Sequence, residues 1–133
     1  MSATTPSNLS LKGLVLFAHG ARDPEWAKPF RAIAKRVSDL RPDFSVRLAF
    51  LEFQTPTLSD GINELVSAGH QSIHIAPLFM AQGGHLKNDV PKLLAAIVLD
   101  HPQLQLTLLE AIGDVPALRE AIADWLISSI PEH

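Results

Sequence analysis

Gly13 to His19 reads GLVLFAH and runs directly into Gly20-Ala21-Arg22-Asp23-Pro24. A continuous apolar run of this length, closed at its ends by glycine, has the character of a strand buried on both faces. Beyond it, Trp26, Phe30, Ile33, Val37 and Leu40 recur at spacings of 4, 3, 4 and 3, which places them on one helix face. Asp23 and Pro24 supply a cap and a first helical position. Pro29 removes a backbone donor close behind them, so the spacing predicts a bent or late-starting first turn.

The same rhythm repeats along the chain. Phe44 to Leu51 reads as a second strand, and Leu58, Ile62, Leu65 and Val66 mark a second helix ending near Gly69. Ser72 to Phe79 is a third strand, Val90 to Val98 the apolar face of a third helix, and Leu104 to Leu109 a fourth strand. Val115, Leu118, Ile122, Leu126 and Ile130 form a fourth helix. Strict βα alternation requires parallel strands with right-handed crossovers. The expected fold is therefore α/β, an open parallel four-stranded sheet with helices on both faces, in the flavodoxin-like manner.

At 133 residues and 14.5 kDa the chain makes one domain. Folding takes about 21,000 Å² of unfolded surface to about 6,900 Å², enough for a core without staples. Residues 1–10, Ser/Thr-rich and free of Lys and Arg, are expected to form a flexible tail, with the domain spanning 11–133. No apolar stretch approaches the roughly 20 residues needed to cross a bilayer, so no membrane partner and a cytoplasmic location are expected. The net charge of −3 gives no general field for nucleic acid. Cysteine is absent, which excludes disulfides, thiolate metal sites and a catalytic thiol. A metal must sit on His, Asp or Glu.

Ligands of such sheets bind beyond the carboxyl ends of the strands. His19, Gly20, Ala21, Arg22 and Asp23 follow the first strand, and Glu52 follows the second. Ala81, Gln82, Gly83, Gly84, His85, Lys87 and Asp89 follow the third, and Glu110 follows the fourth. Topology thus carries His19 and His85, with two carboxylates, to one edge. Imidazoles are common ligands of divalent transition metals, and Glu52 suits a ligand or a proton acceptor. An incomplete ligand set leaves positions open, which suits a metal that is handled and passed on. Gly83 and Gly84 permit close approach and positive φ beside a flat ligand, while Arg22 and Lys87 offer positive charge to an anionic one.

Each residue also has a plainer reading. His19 or His85 alone suits a packing role, Gly83-Gly84 a loop turn, Glu52 a carboxylate near a helix start, and Glu110 a solvated side chain. Of the other histidines, His70 is expected to be exposed at a helix exit, and His74 to be a hydrogen-bonded core residue. His101, before Pro102, is expected to close a helix.

Three strings now stand in order at strand ends: His19-Gly20-Ala21-Arg22-Asp23-Pro24, Ala49-Phe50-Leu51-Glu52, and Pro77-Leu78-Phe79-Met80-Ala81-Gln82-Gly83-Gly84-His85. Together they resemble the CbiX/SirB family of class II tetrapyrrole chelatases in its short form, over roughly Leu14 to Leu126. The resemblance implies insertion of a divalent metal, Co(II) first and Fe(II) next, into sirohydrochlorin for cobalamin or siroheme biosynthesis. It places His19 and His85 at the metal-binding positions and Glu52 at the acidic position beside them. Arg22, Lys87, Gly83 and Gly84 would then meet the tetrapyrrole, with Leu78, Phe79, Met80 and Leu86 as its apolar contacts. Ala21, Met80 and Lys87-Asn88 depart from the family's common residues, and none of these departures removes a ligand.

The resemblance implies no permanently bound cofactor; Co(II), Fe(II) or Ni(II) would be a substrate. Resembling chelatases hold the macrocycle between two similar α/β lobes, and this length supplies one, so a homodimer is expected. Two other readings share the residues: a non-catalytic metal or tetrapyrrole carrier, and a phosphate-handling enzyme using His19 and Arg22. The second lacks a P-loop and a G-x-G-x-x-G turn.

Overall fold

Alternate residues of the first strand point into two different cores, and this divides the molecule into layers. In a computed structural model that describes residues 12–132, β1 (Lys12–Ala18) directs Val15 and Phe17 to one side and Leu16 and Ala18 to the other. All of these side chains are buried. The remaining strands are β2 (Phe44–Phe50), β3 (Ser72–Pro77) and β4 (Gln105–Leu108), and the helices are α1 (Lys28–Leu40), α2 (Leu58–Ser67), α3 (Gly84–Asp100) and α4 (Pro116–Ser129). The four strands are parallel in the order β2-β1-β3-β4, an α/β sheet of the expected kind. The tail expected at residues 1–10 lies outside the described residues.

The main core fills the face under α2 and α3. Val15, Phe17, Ala49, Ile73 and Ile75 from the sheet meet Ile62, Leu65, Val90 and Leu94 from the helices. Ile62, Leu65, Ile73, Ile75 and Val15 are wholly removed from solvent. Each such burial contributes about 1.5–3 kcal/mol, so this face dominates stability. On the opposite face Trp26, Phe30 and Leu48 close over Ala18, Ala27 and Phe50.

Pro29 delays the first helix as expected. Pro24–Ala27 form a 3-10 turn capped by the Asp23 carboxylate, which accepts from the Glu25 N–H at 3.0 Å, and the α-helix starts at Lys28 with Pro29 in its first turn. There its missing N–H breaks no intrahelical bond. At α2 the Thr57 hydroxyl accepts from the Asp60 N–H at 3.2 Å.

Three expectations need correction. His70 is 7% exposed, held between the Leu65 carbonyl at 3.0 Å and the Ser45 hydroxyl at 2.8 Å, because the chain turns inward after Gly69. His74 is half-buried, with its Nδ1 removed from solvent and without a hydrogen-bond partner among the described residues. The fourth helix does not cover the sheet: α4 buries no residue and packs on the 3-10 turn before it, Ile112–Asp114. That turn sets its direction.

Candidate functional site

The chain leaves β1 toward β2 on one side and returns to β3 on the other, so the two connections diverge at the carboxyl ends of β1 and β3. Such a divergence opens a crevice and is where open α/β sheets bind ligands. His19 follows β1 there, exposed to solvent, and the loop after β3 delivers His85 in the first turn of α3, also exposed. Glu52, just past β2, is exposed on the same edge.

The strand pairing continues past the strand ends and fixes these backbones. The Leu51 N–H donates to the Ala18 carbonyl at 2.9 Å, and the Glu52 N–H to the His19 carbonyl at 3.1 Å. Gly20 then turns at φ +90°, with its α-carbon against the Glu52 carbonyl, so a Cβ there would overlap that oxygen. Only glycine combines this approach with this torsion. On the other flank the Leu78 N–H donates to the Phe17 carbonyl at 2.8 Å.

Phe79, expected to face a macrocycle, is 6% exposed and belongs to the core. Its ring stands edge-to-face with Phe17 at 5.3 Å and with His19 at 5.5 Å. It therefore positions the imidazole from beneath. Leu86 also packs against the core, Leu78 is partly buried, and Met80, 56% exposed, presents its thioether to solvent.

Gly83 and Gly84 do not adopt the positive φ expected of them. Gly83 caps α3 in an extended conformation, φ −71° and ψ 163°, and Gly84 begins the helix. No atom lies within 4 Å of where a Cβ would stand on either residue, so they leave room beside His85. The first turn of α3 holds no acidic residue and its cap makes no side-chain hydrogen bond. Its free N–H groups, with the exposed Lys87 nearby, favour an anionic group.

Three contributors escaped the sequence reading. Phe53 takes φ +67°, uncommon for a bulky residue, and its exposed ring receives the Arg22 guanidinium at 5.0 Å. The Gln54 amide nitrogen donates to the Ala21 carbonyl at 2.8 Å and the Asp23 carbonyl at 3.3 Å, tying the loops after β1 and β2 together. Gly113 bonds the Phe79 carbonyl at 3.1 Å and lies against the Met80 carbonyl with no room for a side chain. None of the three has a periodicity that would mark it; the glycine in Ile112-Gly113-Asp114 was the available signal.

No group of three or more His, Asp or Glu side chains among the described residues stands ready to hold one ion. His19, His85 and Glu52 share an edge without forming a closed cage, and Glu110 adds none. Imidazoles in such an arrangement can hold a divalent ion only partially, leaving coordination positions for a second ligand. A cavity of about 400 Å³ lined by His70, Asp100 and His101 lies at the opposite end, beneath the amino ends of β3 and β4.

Known proteins share this fold. A sequence model of the CbiX family matches residues 13–129. A sirohydrochlorin cobaltochelatase of Saccharolobus islandicus (strain Y.G.57.14 / Yellowstone #1) is 34% identical over 123 residues, covering 90% of this chain and 94% of that protein. The sirohydrochlorin cobaltochelatase of Methanococcus aeolicus is 32% identical over 87 residues, 65% of this chain and 61% of that protein. A crystal structure of a cobalamin (vitamin B12) biosynthesis CbiX protein from Marinobacter aquaeolei VT8 superposes with a TM-score of 0.74 at 29% identity, covering 88% of this chain and 95% of that one.

Proposed function

Since the chain belongs to the CbiX family, we propose that it is a sirohydrochlorin chelatase, an enzyme that inserts Co(II), or else Fe(II) or Ni(II), into the tetrapyrrole. The observation that carries this reading is that His19 follows β1 and His85 lies in the first turn of α3 after β3, beyond the carboxyl ends of two adjacent parallel strands. Insertion requires the ion to shed water and the ring to release two pyrrole protons, so weak, incomplete coordination beside a proton acceptor is what the step needs.

His19 and His85 hold the ion through neutral imidazole nitrogens, and Glu52 accepts protons or completes the coordination. Arg22, Lys87 and the open first turn of α3 meet the peripheral carboxylates of the ring. Leu78, Met80 and Leu86 supply apolar contact, and Gly83 and Gly84 leave space for its edge. Phe79 acts by holding His19. The protein works as a homodimer in the cytoplasm; no helix among the described residues is long and apolar enough to cross a membrane.

The test is a spectroscopic insertion assay with sirohydrochlorin and each metal in turn, on the natural chain and on His19→Ala and His85→Ala. Acceleration over the uncatalysed rate that falls in both variants supports the reading. Full activity retained in both overturns it, and tight binding without acceleration assigns a carrier.

A further inference from the structure

Arg41 and Arg22 each rest on a phenylalanine ring, and among the described residues only Arg41 holds a carboxylate. Arg41 lies over Phe44 at 4.7 Å and closes its guanidinium on Asp43, Nε to Oδ1 at 2.9 Å and Nη2 to Oδ2 at 2.8 Å. Arg22 lies over Phe53 at 5.0 Å and is exposed. It enters neither of the ion pairs formed among the described residues, Lys35 with Asp39 and Arg41 with Asp43. The neighbouring Asp23 carboxylate is turned to the Glu25 N–H instead. A guanidinium held by its face keeps its donors, which lie in its plane, open to a planar anion.

A strained turn sets this arrangement. The Gln54 N–H donates to the Glu52 carbonyl at 2.8 Å across Phe53, whose φ of +67° makes this the rare form of a three-residue turn. The ring so presented is 56% exposed, so burial does not offset the torsion. A bulky residue kept in such a conformation without a core to fill points to ligand handling. The Gln54 amide nitrogen bonds the Ala21 and Asp23 carbonyls on either side of Arg22, and the Glu52 N–H bonds the His19 carbonyl. The backbone around Arg22 is thereby fixed to the loop that carries Phe53. Arg22 stands three residues past His19, and Phe53 directly follows Glu52, so the pair borders the site without belonging to the metal-holding set.

We propose that Phe53 is a specificity-determining residue of this site. It acts through Arg22, holding the guanidinium as an open fork that takes one peripheral carboxylate of the macrocycle in two parallel hydrogen bonds, as Arg41 takes Asp43. The inference rests on the chelatase reading for the identity of the ligand. It assigns to this pair the selection of rings that bear a free carboxylate at this edge, and it makes Phe53 a positioning residue with no part in the insertion step.

Binding of metal-free sirohydrochlorin, followed by quenching of its fluorescence, reads the pair without metal insertion. Arg22→Gln should raise Kd about 30-fold, the worth of a charge-assisted bidentate pair. Arg22→Lys keeps the charge without the fork and should recover little of this loss. Phe53→Leu keeps an apolar side chain and should raise Kd about 5-fold through loss of the ring face, whereas Phe53→Tyr should stay within about 2-fold of the natural chain. The double variant Phe53→Leu/Arg22→Gln should bind no more weakly than Arg22→Gln alone, because Phe53 then has nothing to position. Both side chains are exposed, so the far-ultraviolet dichroism of the fold should be retained throughout.

Natural affinity in Phe53→Leu, equal weakening in Phe53→Tyr, full recovery in Arg22→Lys, or losses that multiply in the double variant overturn the proposal, and metal insertion by the natural chain then leaves the chelatase reading standing. The expected binding pattern without metal insertion overturns the chelatase reading alone. A natural chain that does not bind the ring overturns both.

Discussion

Gly20 lies against the carbonyl oxygen of Glu52 with no space for a side chain between them, and through this contact the loop carrying His19 is locked to the loop carrying Glu52. Replacing Gly20 by Ala adds a methyl group where there is no volume and forces L-chirality into a positive φ. The expected loss is roughly 2–4 kcal/mol, the sum of torsional and overpacking costs. A urea melt reads it directly. An unchanged midpoint would mean that the two loops are not locked in solution.

His19→Ala and His85→Ala should leave stability within about 0.5 kcal/mol, because both side chains are exposed. Their effects on insertion should not multiply. If the two imidazoles share one ion, the double variant falls little below the worse single variant, as for groups that act as a unit. Steady-state rates on the three proteins decide it, and multiplied losses would place the histidines in separate steps.

Phe53→Asn should stabilise the protein by about 0.5–1 kcal/mol, since Asn accepts the left-handed region that Phe resists. The same change removes the ring that holds the Arg22 guanidinium. KM for the tetrapyrrole should rise while kcat is held. A stabilised variant with unaltered KM would remove Arg22 from substrate binding.

Arg41 grips Asp43 through two hydrogen bonds, Nε to Oδ1 at 2.9 Å and Nη2 to Oδ2 at 2.8 Å, and these bonds hold the carboxyl at about 2, below its ordinary 3.8. A pKa depressed by folding stabilises the native state above the unfolded value. The contribution is lost as pH falls from near 4 toward 2. Asp43→Asn should therefore be less stable than the natural chain at neutral pH and lose less on acidification. Equal acid slopes in denaturant melts would show that the pair is broken in solution.

The strand and helix order was legible because β1 is buried on both faces and writes itself as an unbroken apolar run, while β3 buries alternate residues, Ile73, Ile75 and Pro77, and keeps the period of a strand. Even the late start of α1 could be read from Pro29. The strand-end histidines were legible for a topological reason, since parallel strands send every following residue to one edge. His70 was expected at the surface and is buried, while His74 was expected to be hydrogen-bonded in the core and is half-buried with its Nδ1 unpartnered among the described residues; which distant groups arrive beside a residue is encoded by neither periodicity nor neighbours. Phe79 was assigned to the ring through the family resemblance; an apolar residue at a strand end suits a pocket wall and a core equally, and its burial puts it in the core. Phe53 and Gly113 act through backbone torsion and close approach, which leave almost no trace in hydrophobic pattern.

The pairing of β1 with β3 joins Lys12 to Ser72 and Phe17 to Pro77, partners 60 residues apart in the chain. Contacts of that separation form late, after the intervening β2 and its helices have been drawn in. During synthesis at about 5–20 residues per second, His19 leaves the ribosome seconds before His85 exists. The nascent chain thus presents His19 before the strand pairing that brings the His85 segment beside it has formed. If His19 and His85 share one ion, as proposed, the two-histidine site is gained only on completion of the fold.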